Sequence, residues 1–287
     1  MLQRSTIQLL RFPFSIFLLP VYLFALSRVV DPDWFRAALI FFILHLLVYP
    51  ASNGYNSYMD RDEDSIGGVK EPLQPTRQLF HVAMLLDGTA IALSLLVSGY
   101  FALGIGLYIL ASRAYSYRGI RLKKYPFTGY LTVVIFQGAV TFWLVYHGCH
   151  PAKTLHVPAA GMMASSLLIG GFYPLTQIYQ HTADRKDGVQ TISLLLGYRN
   201  TFLFTALVYT GAFAVLAWYF ISSLEVKQFV ILQIIMLPVI VYFFNWARQV
   251  WKNTASADFL HTMRMNTLAS CCSSAAFLTL IILRFFE

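Results

Sequence analysis

Four acids crowd into the nine residues Asn56-Ser57-Tyr58-Met59-Asp60-Arg61-Asp62-Glu63-Asp64, directly after a stretch from Leu39 to Ala51 in which only His45 interrupts the apolar run. Each charge placed in hydrocarbon costs about 2.5–3.5 kcal/mol on insertion scales. A helix ending in this cluster therefore puts it at the membrane–water boundary. If that helix continues to Asp64, then Asn56, Asp60 and Asp64 follow at i, i+4 and i+8. At about 100° per residue the drift is only about 40° per step, so the three side chains share one face. Three oxygen donors in a row suit a hard cation such as Mg²⁺. The competing reading is a solvated, charged helix terminus.

A second acid-bearing stretch runs from Gln177 to Gly188, where Gln180, Asp184 and Asp187 are spaced i, i+4, i+7. Two such helix ends on one membrane face can hold a pair of divalent ions between them, a common device for gripping a diphosphate. An EF-hand-like spacing (Asp60, Asp62, Asp64 and Glu71 at positions 1, 3, 5 and 12) is set aside. Its sixth position is Ser65 where the sharp turn needs glycine, and the preceding segment is a membrane span.

The elements that must position these residues are membrane helices. Of the 287 residues, 57% are hydrophobic and 12% charged, against about 25% charged in a typical soluble domain; mean hydropathy is +0.61. Apolar segments of roughly the 20 residues that cross a bilayer fall near 12–30, 35–56, 79–97, 99–114, 127–147, 158–180, 202–222, 228–247 and 264–284. The first, Phe12 to Val30 behind Arg4 and Arg11, is too long for a signal h-region. The expected fold is all-α: a polytopic membrane protein with nine transmembrane helices around a central cavity, one domain over 1–287.

All lysines and arginines except Arg28, Arg36, Lys153, Lys227 and Arg284 then fall on one side. That bias makes the N-terminus and both acidic motifs cytoplasmic and puts the C-terminus outside. The net charge of +8 thus reports orientation and not nucleic-acid binding. Residues 61–78, with Gly67, Gly68, Pro72 and Pro75, read as a loop. Cys149, Cys271 and Cys272 do not form a disulfide pattern. Within the spans, Asp87 is a cavity candidate by default; Gln137 and Asn245 read first as interhelical hydrogen-bonding groups.

With these clusters in place the chain resembles the UbiA superfamily of intramembrane prenyltransferases. That family has nine helices, an Asn-Asp-x-x-Asp-x-x-x-Asp motif after helix 2 and an Asp-x-x-x-Asp motif after helix 6. Here the first motif maps onto Asn56, Ser57, Asp60 and Asp64, with Ser57 where the family usually has Asp. The second maps onto Gln180 and Asp184, followed by a family-like run from Arg185 through Thr191. The basic, tyrosine-containing tract from Tyr115 to Tyr125 is similar to the family's diphosphate-contacting segment, and Arg11-Phe12-Pro13 to the arginine opening helix 1.

The resemblance implies Mg²⁺ held by Asn56, Asp60, Asp64, Gln180 and Asp184, with Asp60, Asp64 and Asp184 as the catalytic acids. Arg11, Arg61, Tyr115, Lys123, Lys124, Arg185 and Asp187 would complete the binding of a polyprenyl diphosphate donor. The partner would be an acceptor small molecule or lipid within the membrane. Because Ser57 and Gln180 replace carboxylates by neutral oxygens, a non-catalytic prenyl-lipid-binding or transport protein of the same fold is the second reading.

Overall fold

Apolar runs fold into helices because a bilayer offers the backbone no hydrogen-bond partners. The computed structural model describes residues 1–286. Nine long helices dominate: α1 (Arg4–Ser27), α2 (Trp34–Asp60), α3 (Arg77–Val97), α4 (Gly99–Ser116), α5 (Pro126–Cys149), α6 (Ala159–Gln177), α7 (Ile192–Ser222), α8 (Val226–Lys252) and α9 (Phe259–Arg284). The described residues contain no strand beyond an isolated bridge between Ile66 and Val69. Seven of the nine are long and apolar enough to cross a membrane. The other two, α4 with 18 residues and α6 with 19, fall short of that measure. Glycine, serine and tyrosine dilute both, so the expected count of nine spans is not reached by apolarity alone.

Irregularities in the helices gather around the cavity. α1 breaks at Arg11, whose φ of +49° is left-handed, and restarts through Pro13. α2 opens into a π-turn over Phe42–Val48, just before Pro50, which has no N–H to give the ladder. There Ser15 Oγ donates to the His45 carbonyl at 2.9 Å and His45 Nδ1 donates to the Ser15 carbonyl at 3.0 Å, which binds α1 to α2. α5 carries a second π-turn, Val134–Val140. At its Gly138 an added Cβ would lie 2.5 Å from the Ser166 backbone, so glycine lets α5 and α6 approach.

Away from the cavity the packing is apolar and aromatic. Phe24 is fully buried, stacked on Phe277 at 4.8 Å and tilted on Phe142 at 5.2 Å. Asp87 does not face the cavity. It pairs with Arg113, whose guanidinium sits 4.1 Å from the Tyr55 ring centroid. A buried acid needs a partner, and a cation from the adjacent helix supplies one. Asn245 is exposed on α8, while Gln137 lines the cavity.

Candidate active site at the polar ends of α2 and α6

α2 stays helical to Asp60 and stops there, because Arg61 takes a left-handed conformation (φ +54°) and its N–H closes back on the Ser57 carbonyl at 3.0 Å. The register expected to carry Asp64 therefore does not exist. Asp64 is exposed and outside the cavity, and the reversal at Arg61 turns Asp62 into it instead. The loop that follows is pinned over the site. Ile66 and Val69 exchange two 2.9 Å backbone bonds, and Arg11 donates to the Gly67 carbonyl at 3.3 Å and the Asn53 carbonyl at 3.2 Å. Gly67 packs against the Phe14 ring, where a Cβ would come within 2.6 Å.

The second end is built differently. α6 finishes at Gln177, tightens into a 3-10 turn over Ile178–Gln180 and continues as a short helix, His181–Lys186. The one helical face expected to hold Gln180, Asp184 and Asp187 is broken by that turn. Asp184 faces the cavity, with Thr191 Oγ1 donating to its Oδ2 at 3.2 Å. Gln180 also lines the cavity, and its Nε2 donates to the Ser65 carbonyl at 3.3 Å, clasping the loop. Asp187 turns outward to pair with Arg121. His181 is buried, bonded to Ser193 Oγ at 2.8 Å and stacked on Tyr198; burial pushes its pKa down to about 4, so it is a neutral brace for the short helix.

A cavity of about 220 Å³ lies between these ends. It brings together Arg11, Asn56, Asp60, Tyr115, Lys123, Gln180 and Asp184 from the expected set. Arg61, Asp64, Lys124, Arg185 and Asp187 are exposed and outside it. Lys123 enters because Arg121 is left-handed (φ +51°) and starts a 3-10 turn, Leu122–Lys124; its ammonium pairs with Asp60 Oδ2. Asn56 Oδ1 accepts from Ser116 Oγ at 2.8 Å, and the Tyr115 and Tyr173 hydroxyls bond to each other. Asp62, Tyr173, Gln177 and Thr191 line the site without having been singled out. Of these, Asp62 had the plainest sequence signal, as one of the four acids in the first cluster.

The carboxylates are buried and feel one another's charge. Burial pushes the Asp62 pKa up to about 6, with the Asp60 charge adding to it and Lys123 and Arg11 opposing. Burial likewise lifts Asp184 to about 7, against the Thr191 bond and Lys123, with Asp62 and Asp60 raising it further. Asp60 Oδ1 is buried without a hydrogen-bond partner, 3.7 Å from Arg121. Among the described residues, no cluster of three or more His, Cys, Asp or Glu side chains is close enough to cage a metal unaided. Mg²⁺ needs no such cage, since it keeps waters and binds through one or two carboxylates plus substrate phosphates. An orphaned carboxylate oxygen beside two acids whose pKa values are raised chiefly by burial fits that ion.

A family model described as the UbiA prenyltransferase family matches residues 14–268. No curated protein matches the chain in sequence. A UbiA homologue from Archaeoglobus fulgidus, solved with DMAPP and Mg²⁺, is 18% identical with a TM-score of 0.68, over 96% of this chain and 99% of that one. The apo UbiA homologue from Aeropyrum pernix K1 is 21% identical at TM-score 0.69, over 96% and 99%. A digeranylgeranylglyceryl phosphate synthase structure is 16% identical at TM-score 0.60, over 97% of both chains. At these identities the likeness shows the fold.

Proposed function

This chain belongs to the UbiA prenyltransferase family, and from that premise we propose that it transfers a prenyl group from a polyprenyl diphosphate to an acceptor inside the membrane, releasing pyrophosphate. The observation that carries the reading is the convergence of Asp60, Asp62 and Asp184 with Arg11 and Lys123 on one cavity. Three acids beside two cations suit a diphosphate accompanied by divalent metal far better than a neutral lipid. DMAPP and GPP with Mg²⁺ occupy the Archaeoglobus fulgidus homologue, and this cavity has the charges for the same class of donor.

Asp60, Asp62 and Asp184 would hold the metal, with Asn56 and Gln180 oxygens beside them. When bound, Mg²⁺ supplies positive charge against the diphosphate and its departure. Arg11 and Lys123 reach the phosphate oxygens, and the Tyr115–Tyr173 hydroxyl pair offers a further proton. The C–O bond to prenyl C1 breaks, its electron pair leaving with pyrophosphate. A nucleophilic atom of the acceptor forms the new bond to C1 and gives up its proton to the departing pyrophosphate. Phe14, Tyr108 and Phe136 line the path; their π-faces favour an allylic cation. The clasped loop over Phe14 keeps water away from it.

By the basic-residue bias, the N-terminus and both acidic ends face the cytoplasm and the C-terminus faces out. The test is pyrophosphate release by purified protein given geranyl diphosphate together with a membrane extract that supplies the acceptor. Release with Mg²⁺ that stops on chelation is expected. No release under either condition would overturn prenyl transfer in favour of a prenyl-lipid carrier.

A further inference from the structure

Asp87 and Arg113 pair across α3 and α4 outside the diphosphate cavity, with side chains 8% and 15% exposed. They are joined through Asp87 Oδ2 and one guanidinium nitrogen, Nη2. Asp87 Oδ1 and Arg113 Nε and Nη1 are buried with no hydrogen-bond partner. A buried pair so thinly satisfied stabilises a fold no better than apolar side chains of the same size, so stability does not explain it. Its surroundings do. The Arg113 guanidinium lies 4.1 Å from the ring centroid of Tyr55 on α2, and Phe80 of α3 packs on the same ring at 6.2 Å. Tyr55 directly precedes Asn56, and one helical turn beyond Arg113, Ser116 Oγ donates to Asn56 Oδ1 at 2.8 Å. α4 thus grips α2 at two successive residues, one turn before Asp60.

We propose that Asp87 and Arg113 are positioning residues for the metal-binding end of α2: Asp87 holds Arg113 on Tyr55, and the clamp so made sets Asn56 and Asp60 in place. Arg113 stands one turn from the polar end of α4. A long cationic side chain there reaches out to headgroups and water unless something holds it. Asp87, midway along α3, draws it inward instead. The planar guanidinium can then pair with the acid and lie over the Tyr55 face at once. Tyr55 and Asn56 are neighbours on one turn, so fixing the ring fixes the start of the turn that ends at Asp60. Neither Asp87 nor Arg113 lines the cavity, so the clamp acts through α2 and not on the donor. The inference rests on the prenyl-transfer reading for what the metal site does, while the clamp itself is a property of the chain alone.

The test compares Asp87→Asn with the double variant Asp87→Leu/Arg113→Met, each as the purified full chain in detergent. Asp87→Asn strands a buried cation and should melt well below the wild type, whereas the double variant removes both charges and should melt near it. The Mg²⁺ concentration that half-saturates binding of a thiolo analogue of geranyl diphosphate should rise about tenfold in both. A pair that served stability alone would have its metal requirement restored together with the melt. A double variant with the wild-type Mg²⁺ requirement would therefore overturn the proposal. Should either variant not fold, Arg113→Lys keeps the charge, loses the planar contact with Tyr55 and should need about threefold more Mg²⁺; an unchanged requirement there does the same. Hydrogen exchange at residues 53–60, measured without ligand, keeps the proposal apart from the reading it rests on. Exchange there should be faster in the double variant, and unchanged exchange would overturn the clamp. Faster exchange beside a wild type that binds the analogue equally with and without Mg²⁺ would sink the metal-dependent diphosphate site and leave the clamp standing.

Discussion

At the end of α2 the chain runs helically to Asp60 and reverses at the left-handed Arg61, so that Asp60 and Asp62 face one cavity. At the end of α6 the helix tightens into a 3-10 turn through Gln180 and delivers Asp184 alone. The first end thus carries most of the negative charge. The second gives part of its polar capacity to the loop, through the Gln180 Nε2 bond to the Ser65 carbonyl. A carboxylate cannot donate that bond. Replacing an acid by glutamine at this point exchanges charge for a clasp, and the two halves of the site are unequal for a physical reason.

The largest effect that would break this comparison lies at the first end. Asp60→Asn should cost about a hundredfold or more in Mg²⁺-dependent pyrophosphate release, because it removes the buried negative charge that partners Lys123 and leaves one oxygen where there were two. Asp64→Asn, exposed and outside the cavity, should stay within about twofold. Equal losses would mean that the helical register does reach Asp64. At the second end Asp184→Asn should cost less, about tenfold, and be partly recovered at high Mg²⁺.

Asp184 also predicts a pH dependence. Its pKa is about 7 in the folded chain against an ordinary 3.8, so between those values the folded state holds the extra proton. Through this group, stability in chelator is highest below the ordinary value and falls as pH rises toward 7. Above 7 the ionised acid is free to meet the metal. The rise in melting temperature on adding Mg²⁺ should therefore be larger at pH 8 than at pH 5.5, and the difference should shrink in Asp184→Asn. An equal rise at both pH values would separate Asp184 from the metal.

Gln180→Glu is the smaller and sharper test. Losing the bond to Ser65 should lower turnover about threefold and make the loop from 61 to 76 easier to cleave by limited proteolysis. A lower Mg²⁺ requirement with unchanged loop protection would mean that residue 180 acts as a metal ligand. Asp187→Asn, at the exposed pair with Arg121, should change activity by less than about twofold.

How much of this was legible follows from what each residue's signal depended on. The membrane fold and the pairing of the two acidic ends came from hydropathy and charge, which survive local errors. Asn56, Asp60 and Asp184 were read because each sits within or beside helical structure, where spacing predicts a face. Asp62 was missed and Asp64 favoured because a left-handed arginine ends α2, and arginine there gives no signal of the kind glycine gives. Lys123 and Lys124 looked equivalent until the left-handed Arg121 sent only the first inward. Tyr173 and Thr191 meet the site by tertiary approach of α6 and the start of α7, to which local pattern is blind.

The central claim is that Asp60 and Asp184, from two helix ends, share one metal-dependent diphosphate site. Its most direct test is equilibrium binding of a thiolo analogue of geranyl diphosphate, which cannot turn over, to wild type, Asp60→Asn and Asp184→Asn, each with Mg²⁺ and with chelator. Binding by the wild type that needs Mg²⁺ and weakens about tenfold or more in both variants is the expected result. Affinity equal in chelator and Mg²⁺, or untouched by either substitution, would contradict the claim.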